Sequence, residues 1–181
     1  MAGFRVCEGP DRLLQDHLHL FTPDLKRYPI LDLACGDGHN GLFLAQKGFQ
    51  VIFADSSKEA LEQVQRRADA KNVAVTLWRI DLEARKADPF SGQTFSAVIS
   101  FRYLHRPLIP AIREAVMQGG ILIYETFTEH QARFGKPKNP DHLLKTGELF
   151  SWFQDWEAMY TYEGIVGEPP KAIAQLVCRK P

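Results

Sequence analysis

The stretch Ile30-Leu31-Asp32-Leu33-Ala34-Cys35-Gly36-Asp37-Gly38-His39-Asn40-Gly41 concentrates the residues best suited to hold a ligand. Gly36 and Gly38 lack a Cβ, so the backbone there can turn sharply and approach a bound molecule closely. A helix that starts just after them offers unpaired N–H groups. Gly36, Gly38 and Gly41 also satisfy G-x-G-x-x-G, the spacing of dinucleotide sites, which is a weak signal by itself. The acids point elsewhere. Asp32 stands inside the apolar run before the turn, where a carboxylate does nothing for a diphosphate but suits a cationic ligand with an amino group. Asp37, within the turn, would repel a pyrophosphate.

Such a turn needs a strand before it and a helix after it, and the surrounding sequence supplies both. Tyr28 to Ala34, Phe49 to Ala54, Val73 to Ile80, Phe95 to Phe101 and Ile121 to Glu125 read as strands with few polar interruptions. Between them lie amphipathic helices. His39 to Lys47 ends at Gly48, a C-cap signal. Ser57 to Ala70 carries Ala60, Leu61, Val64 and Ala68 at helical spacing. Ile109 to Met117 is opened by prolines. Asp11 to Phe21 is expected as a leading helix and Thr146 to Phe153 as a short late one, with Gly119-Gly120 a turn and Arg133 to Lys145 a polar loop. Residues 81–94 have a weak helical signal and read mostly as loop. Trp156 to Ile165 and Ala172 to Arg179, joined by Gly167-Glu168-Pro169-Pro170, form a closing hairpin. Alternating strands and helices imply an α/β fold: a Rossmann-like, doubly wound, mostly parallel seven-stranded sheet with a C-terminal antiparallel hairpin. No linker interrupts residues 1–181, so one domain is expected. In such a sheet ligands bind beyond the carboxyl ends of the strands.

Asp32, Gly36 and Gly38 match D/E-x-x-x-G-x-G, and the chain resembles class I S-adenosylmethionine (SAM)-dependent methyltransferases along its whole length. The resemblance implies SAM as cofactor, with S-adenosylhomocysteine as product. It implies cofactor contacts from Asp32, Ala34, Cys35, Gly36, Asp37 and Gly38 in the turn, and from Asp55 and Ser56 after the second strand, where the family places an acid on the ribose hydroxyls. A carboxylate can accept from both of those hydroxyls; alternatively Asp55 caps the next helix, a role Ser56 or Ser57 also fits. Asp81 and the N–H of Leu82 correspond to the adenine contacts, and Phe101 to the pocket lining. The closing hairpin resembles the family's reversed seventh strand. Within the family, the small size is similar to compact enzymes of the tellurite-resistance type.

Methyl transfer from a sulfonium is an in-line displacement; it calls for positioning, plus a base where the nucleophile keeps its proton. Over the fourth and fifth strand ends, Ser100-Phe101-Arg102-Tyr103-Leu104-His105-Arg106-Pro107 and Tyr124-Glu125-Thr126-Phe127 supply Tyr103, His105 and Glu125 as candidate catalytic groups. Packing on the cofactor or plain solvation are the competing readings. Arg133-Phe134-Gly135-Lys136-Pro137-Lys138-Asn139-Pro140 is either a cover that attracts an anionic acceptor or a solvated loop. The fourth strand lacks the Asn/Asp-Pro-Pro-aromatic motif of many enzymes that methylate nucleic-acid amino groups. No cysteine stands near the fourth or fifth strand end, which counts against a thiolate route to cytosine C5.

Lys plus Arg and Asp plus Glu both number 22 in 181 residues, so nothing in the net charge announces a nucleic-acid partner. Cys7, Cys35 and Cys178 show neither metal-ligand spacing nor a disulfide framework. No metal is expected. Cys35 reads as a small packing residue. No run approaches the roughly 20 apolar residues of a membrane span, and Met1 to Glu8 lacks the apolar core of a signal peptide. A cytoplasmic monomer or weak dimer acting on a small-molecule acceptor is expected, with RNA or a protein side chain as other acceptors. Two readings from other classes stay open: a non-catalytic nucleotide-binding module or partner subunit, and an NAD(P)-linked oxidoreductase resting on Gly36, Gly38 and Gly41.

Overall fold

The computed structural model describes residues 9–84 and 89–181; Cys7 and the Met1 to Glu8 stretch lie outside them. Seven strands form one sheet: β1 (Ile30–Leu33), β2 (Val51–Asp55), β3 (Thr76–Arg79), β4 (Phe95–Phe101), β5 (Val116–Phe127), β6 (Glu157–Val166) and β7 (Lys171–Arg179). Their order across the sheet is β3-β2-β1-β4-β5-β7-β6. The first five run parallel, whereas β7 is antiparallel to both β5 and β6. The strand order reverses beside β1, between its neighbours β2 and β4, which puts the crevice of a doubly wound sheet directly above the glycine turn.

The two faces follow from the alternation of side chains along each strand. Ile30, Phe53, Ile99, Ile123 and Val177 face one core, which α1 (Arg12–Asp16), α2 (His39–Gln46) and α3 (Lys58–Ala70) cover with Leu13, Leu14, Leu42, Leu61 and Val64. Leu31, Ala54, Val98, Leu122 and Leu176 face the other, covered by α4 (Ile109–Ala115) and α5 (Glu148–Ser151) through Ile109, Ile112 and Leu149. β1 and β4 are buried along their whole length, as the near-continuous apolar runs required.

Several element boundaries differ from the sequence reading. The leading helix stops at Asp16, and a 3₁₀ turn at Leu18–Leu20 continues the segment, because His17 turns its ring back to the Leu13 carbonyl at 2.9 Å. Helix α4 ends at Ala115, and β5 already begins at Val116; Gly119 and Gly120 lie inside that strand, where its register with β4 shifts between Phe95 and Ala97. Here a β-bulge replaces the expected turn, and Gly119 takes the positive φ of 72°. Helix α5 is shortened to four residues behind the left-handed Gly147. Among the described residues, no helix is long and apolar enough to cross a membrane.

Candidate functional site

The glycine turn is built from alternate left-handed residues: Ala34, Gly36 and Gly38 have φ of 53°, 54° and 72°. Ala34 is the costly one, since an L side chain disfavours this region by about 1–2 kcal/mol. The turn is held by Cys35 N donating to the Ala54 carbonyl (3.0 Å) and Gly38 N to the Cys35 carbonyl (2.9 Å). The third glycine of the spacing has a packing cause. A Cβ on Gly41 would lie 2.6 Å from Asp32 Oδ2 and collide with the Phe53 ring. Only glycine therefore lets α2 come down onto β1 and β2. Gly36 differs: a Cβ there would meet nothing within 4 Å, so its backbone opens onto space.

Asp32 is 3% exposed and accepts the Gly41 N–H at 2.9 Å. Burial pushes its carboxyl up to about 7, only partly offset by that hydrogen bond. Asp55 ends β2 on the same face as Phe53, and its two oxygens accept separate backbone donors: Gly36 N at 2.9 Å and Ser57 N at 2.9 Å. Ser57, not Asp55, caps α3, through the Ala60 N–H at 3.1 Å. Each Asp55 oxygen keeps a further lone pair. Ser56 is exposed beside it. Asp81 accepts from Glu83 N at 3.0 Å, forming a turn that leads the chain past buried Leu82. Cys35 is buried, and its thiol is pushed far up by burial and by Asp32, so it packs rather than reacts.

Asp37 does not stand bare in the turn. Arg67 pairs with it at 3.0 Å, and His39 Nδ1 bonds its other oxygen. Burial would raise the Asp37 carboxyl, but the bonds from His39 and the charge of Arg67 hold it below its ordinary range. Its charge is neutralised locally, which removes the repulsion the sequence reading set against a pyrophosphate. His39 Nε2 reaches Asp11 at 3.0 Å. The Asp11 carboxylate also receives Asn40 Nδ2 at 2.8 Å and both Arg102 nitrogens at 2.8 and 3.0 Å. Burial acts to raise Asp11, yet these donors hold it well below the carboxylate range; burial acts to lower His39, yet Asp11 and Asp37 together hold it above its own range. Arg102 stands at φ 60° just past β4. One carboxylate thus ties the start of α1 to the glycine turn and to the end of β4.

The three expected catalytic residues separate. Tyr103 lies on the Asp55 side: burial raises its phenol, with Glu83, Asp81 and Asp55 adding to the effect. Its hydroxyl is buried and has no hydrogen-bond partner among the described residues. A buried hydroxyl without a partner is costly, and a polar ligand beside Asp55 would satisfy it. His105 borders a cavity of about 830 Å³ that runs along α4 to Thr94 and Ala115, towards the amino ends of β4 and β5. At its other end the cavity reaches Leu82 and Glu83, past the carboxyl end of β3. Glu125 lines a second cavity, of about 590 Å³, with Asp11, Arg102, Phe127, Tyr160 and Tyr162. Burial raises the Glu125 carboxyl, opposed by a bond from Gln175 Nε2 at 2.6 Å. Phe101 is 7% exposed and is the register partner of Glu125.

Arg106 is a staple, not a ligand group. It holds Glu148 at 2.7 Å and donates to the Asp141 and Leu143 carbonyls. The Arg133 to Pro140 segment is pinned by Gln131, which donates to the Lys136 carbonyl and accepts from Ala172 N. Its three cations do not line the cavity around Glu125. Asp11, His39 and Gln175 are the site residues that sequence reasoning passed over, and Arg102 was noted only as one polar group past the fourth strand. His39 carried a signal, as a titratable group at a helix start. Asp11 and Gln175 carried none without the register and fold that bring them in.

The profile of the family described as "Methyltransferase domain" matches residues 30–120, half of the chain. The chain is 22% identical over 156 residues to the tRNA 5-carboxymethoxyuridine methyltransferase of Escherichia coli K12, covering 72% of this chain and 60% of that protein. It is 25% identical over 144 residues to the probable S-adenosyl-L-methionine-dependent methyltransferase TehB of Haemophilus influenzae, covering 77% of this chain and 49% of that one. It therefore spans about half to three fifths of the length of these relatives. The crystal structure of H. influenzae TehB superposes with a TM-score of 0.74 at 19% identity, over 93% of this chain and 61% of that chain.

Proposed function

We propose that this chain, which belongs to the methyltransferase-domain family, binds SAM along the glycine turn and passes its methyl group to a small molecule held against Glu125. The observation that carries the reading is the pairing of Phe101 with Glu125 across β4 and β5. Phe101, which would wall the cofactor crevice, thereby stands beside a half-buried carboxylate that lines a cavity. Asp32 and the turn backbone from Ala34 to Gly38 would receive the amino-acid end of the cofactor. Asp55 would receive the ribose hydroxyls on its remaining lone pairs, with Ser56 alongside. Asp81, Leu82 N–H and the unpartnered Tyr103 hydroxyl would receive the adenosine end.

When bound, the cofactor supplies a methyl group already activated on a sulfonium, so this chain's residues have only to orient the acceptor and move one proton. Glu125 would accept that proton as the acceptor's lone pair took the methyl group, the carbon–sulfur pair remaining with the departing sulfur. A carboxylate raised by burial is better matched to this task near neutral pH than a solvated one. His105 lines the cavity along α4 rather than the one around Glu125 and is given no role in the step. Of the cations lining the cavity, Arg102 is paired with Asp11 and Arg12, at the surface, with Asp16, which leaves Lys171; a small acceptor suits this lining better than RNA. A nucleic-acid groove keeps its cations for phosphates.

Titration calorimetry with S-adenosylhomocysteine tests the cofactor half. Micromolar binding is expected, falling about 100-fold in Asp55→Ala, a loss of about 2.7 kcal/mol. Absence of heat and of any thermal shift at millimolar ligand would sink the reading, and tighter binding of NAD would favour an oxidoreductase. Transfer of label from methyl-labelled SAM to bulk tRNA, with no small acceptor labelled, would replace the small-molecule acceptor by RNA.

A further inference from the structure

Among the described residues, no element covers the groove around Glu125, at the end of one sheet face. Phe101, Glu125, Gln175 and Tyr162 are successive register partners across β4, β5, β7 and β6, so their side chains form a row on that face. Two features shape the row. Gln175 bridges Tyr160 and Glu125: Tyr160 Oη donates to Gln175 Oε1 at 3.3 Å, and Gln175 Nε2 donates to Glu125 Oε2 at 2.6 Å. An amide cannot give and take through one atom, so Tyr160 fixes which way Gln175 faces and presents its NH₂ to the carboxylate. The second feature is Gly164, where a Cβ would lie 2.7 Å from Tyr162 Oη. Its absence lets Tyr162 lie along its own strand and bond the Ile165 carbonyl at 3.1 Å. The Tyr162 ring, Phe127 and Ile173 thus give a broad apolar floor, and His17 stands 5.0 Å from Tyr160 at its edge.

Resting on the function proposed above, we infer that this groove takes a flat, uncharged ring bearing an O–H or N–H, and that Gln175 is the positioning residue that aims Glu125 at that proton. With Oε2 held by Gln175, Oε1 of Glu125 has no partner among the described residues and is the atom left for the acceptor. A cavity of about 590 Å³ lies within the roughly 300–1,000 Å³ usual for small-molecule sites. An anionic acceptor is disfavoured. Asp11, Asp16 and Glu125 all line the groove, and of its cations Arg102 and Arg12 are paired with carboxylates while Lys171 faces Glu125.

The test uses the full chain, SAM, and a panel of neutral phenols, aromatic amines and imidazoles, with benzoates of equal size as anionic counterparts; S-adenosylhomocysteine formation is the readout. Turnover of a neutral ring at least tenfold above its benzoate counterpart is expected. In Gln175→Leu, S-adenosylhomocysteine affinity and melting temperature stay near wild type and acceptor KM changes less than threefold, while kcat falls about 10-fold or more. The acidic limb of kcat/KM also moves to higher pH, because losing a donor to the ionised carboxylate favours its protonated form. The other titratable or charged groups lining the groove with Glu125 are retained in that variant: Asp11, Arg12, Asp16 and His17 from α1 and its flanks, Arg102 past β4, Lys171 on β7, and Tyr160 and Tyr162 on β6. Tyr160→Phe gives a smaller change of the same sign. An unmoved limb with unchanged kcat overturns the role of Gln175. Cofactor binding without turnover of any neutral ring, or equal turnover of benzoates, overturns the acceptor class. A wild type that binds no S-adenosylhomocysteine overturns the underlying function instead.

Discussion

The carboxyl rim of the sheet has two halves that treat their acids differently. Around the glycine turn, Asp11, Asp32, Asp37 and Asp55 each accept from named donors, and Asp55 has both oxygens tied to backbone. Over β5, β7 and β6, Glu125 has Gln175 as its one donor among the described residues. Within the first half, Asp32 and Asp55 are held by backbone N–H groups of the turn and its neighbours, Gly41 for Asp32 and Gly36 and Ser57 for Asp55, whereas Asp11 and Asp37 draw on the more distant Arg102 and Arg67. The second depends on contacts between residues 50 apart in the chain. A fixed ligand that every family member shares suits the first arrangement, and an acceptor that differs between enzymes suits the second.

The contrast can be broken most forcefully at Gly41. Gly41→Val drives a branched side chain into Phe53 and Asp32, and a destabilisation of about 3 kcal/mol or more is expected in urea unfolding, with cofactor binding lost. A shift below about 1 kcal/mol would mean that α2 does not sit on β1 as described. Asp32→Asn separates stability from function. A buried carboxyl raised to about 7 contributes stability that is full below the unfolded value near 4 and is lost as pH rises through 7. The variant keeps an acceptor for Gly41 N–H but has no charge to bury. Its melting temperature should exceed wild type by several degrees at pH 8 and match it near pH 4, while cofactor affinity falls about tenfold. A lower melting temperature at pH 8 would contradict the burial argument.

Arg106→Ala probes the acceptor half away from its chemistry. It removes the bonds to Glu148 and to the Asp141 and Leu143 carbonyls, so a loss of about 2 kcal/mol is expected. Faster hydrogen exchange should be confined to residues 139–148, with S-adenosylhomocysteine affinity unchanged. Asp11→Asn is the mildest. It keeps the acceptor for Asn40 but loses the charged pairs with Arg102 and His39, at about 1 kcal/mol, and exchange should quicken across α1 and its N-terminal flank. His39 then loses one of the carboxylates that raise it, so its NMR titration midpoint should fall.

The parts legible in the sequence were those set by local rules. Strand burial, the glycine turn and the closing hairpin follow from alternation and from residues without a Cβ. Asp55 could be placed at a strand end, although only the structure separates its role from the capping by Ser57. Reading failed where a distant contact outvoted local pattern. Ile109 to Met117 looks helical throughout, but Val116 and Met117 are taken by β5 beside β4. Asp37 looked like a bare charge because Arg67 lies 30 residues away. Tyr103 and His105 are neighbours of one kind in the sequence, yet they end up near Asp55 and along α4 respectively. Gln175 is an ordinary strand residue until the register of β5 with β7 sets it opposite Glu125.

The four-donor knot on Asp11 has a thermodynamic consequence. Asp11 and Arg102 line the groove around Glu125, while its other partners, His39 and Asn40, open α2 just past the glycine turn. Any ligand that draws on those partners changes the free energy of holding α1 in place, and any ligand that presses on α1 changes the availability of those partners. Linkage makes that exchange symmetric: whatever factor the cofactor imposes on acceptor affinity, the acceptor imposes on the cofactor. Cooperativity between two unlike ligands would thus pass through one side chain, and comparing each ligand's affinity with and without the other, in wild type and in Asp11→Asn, would measure it.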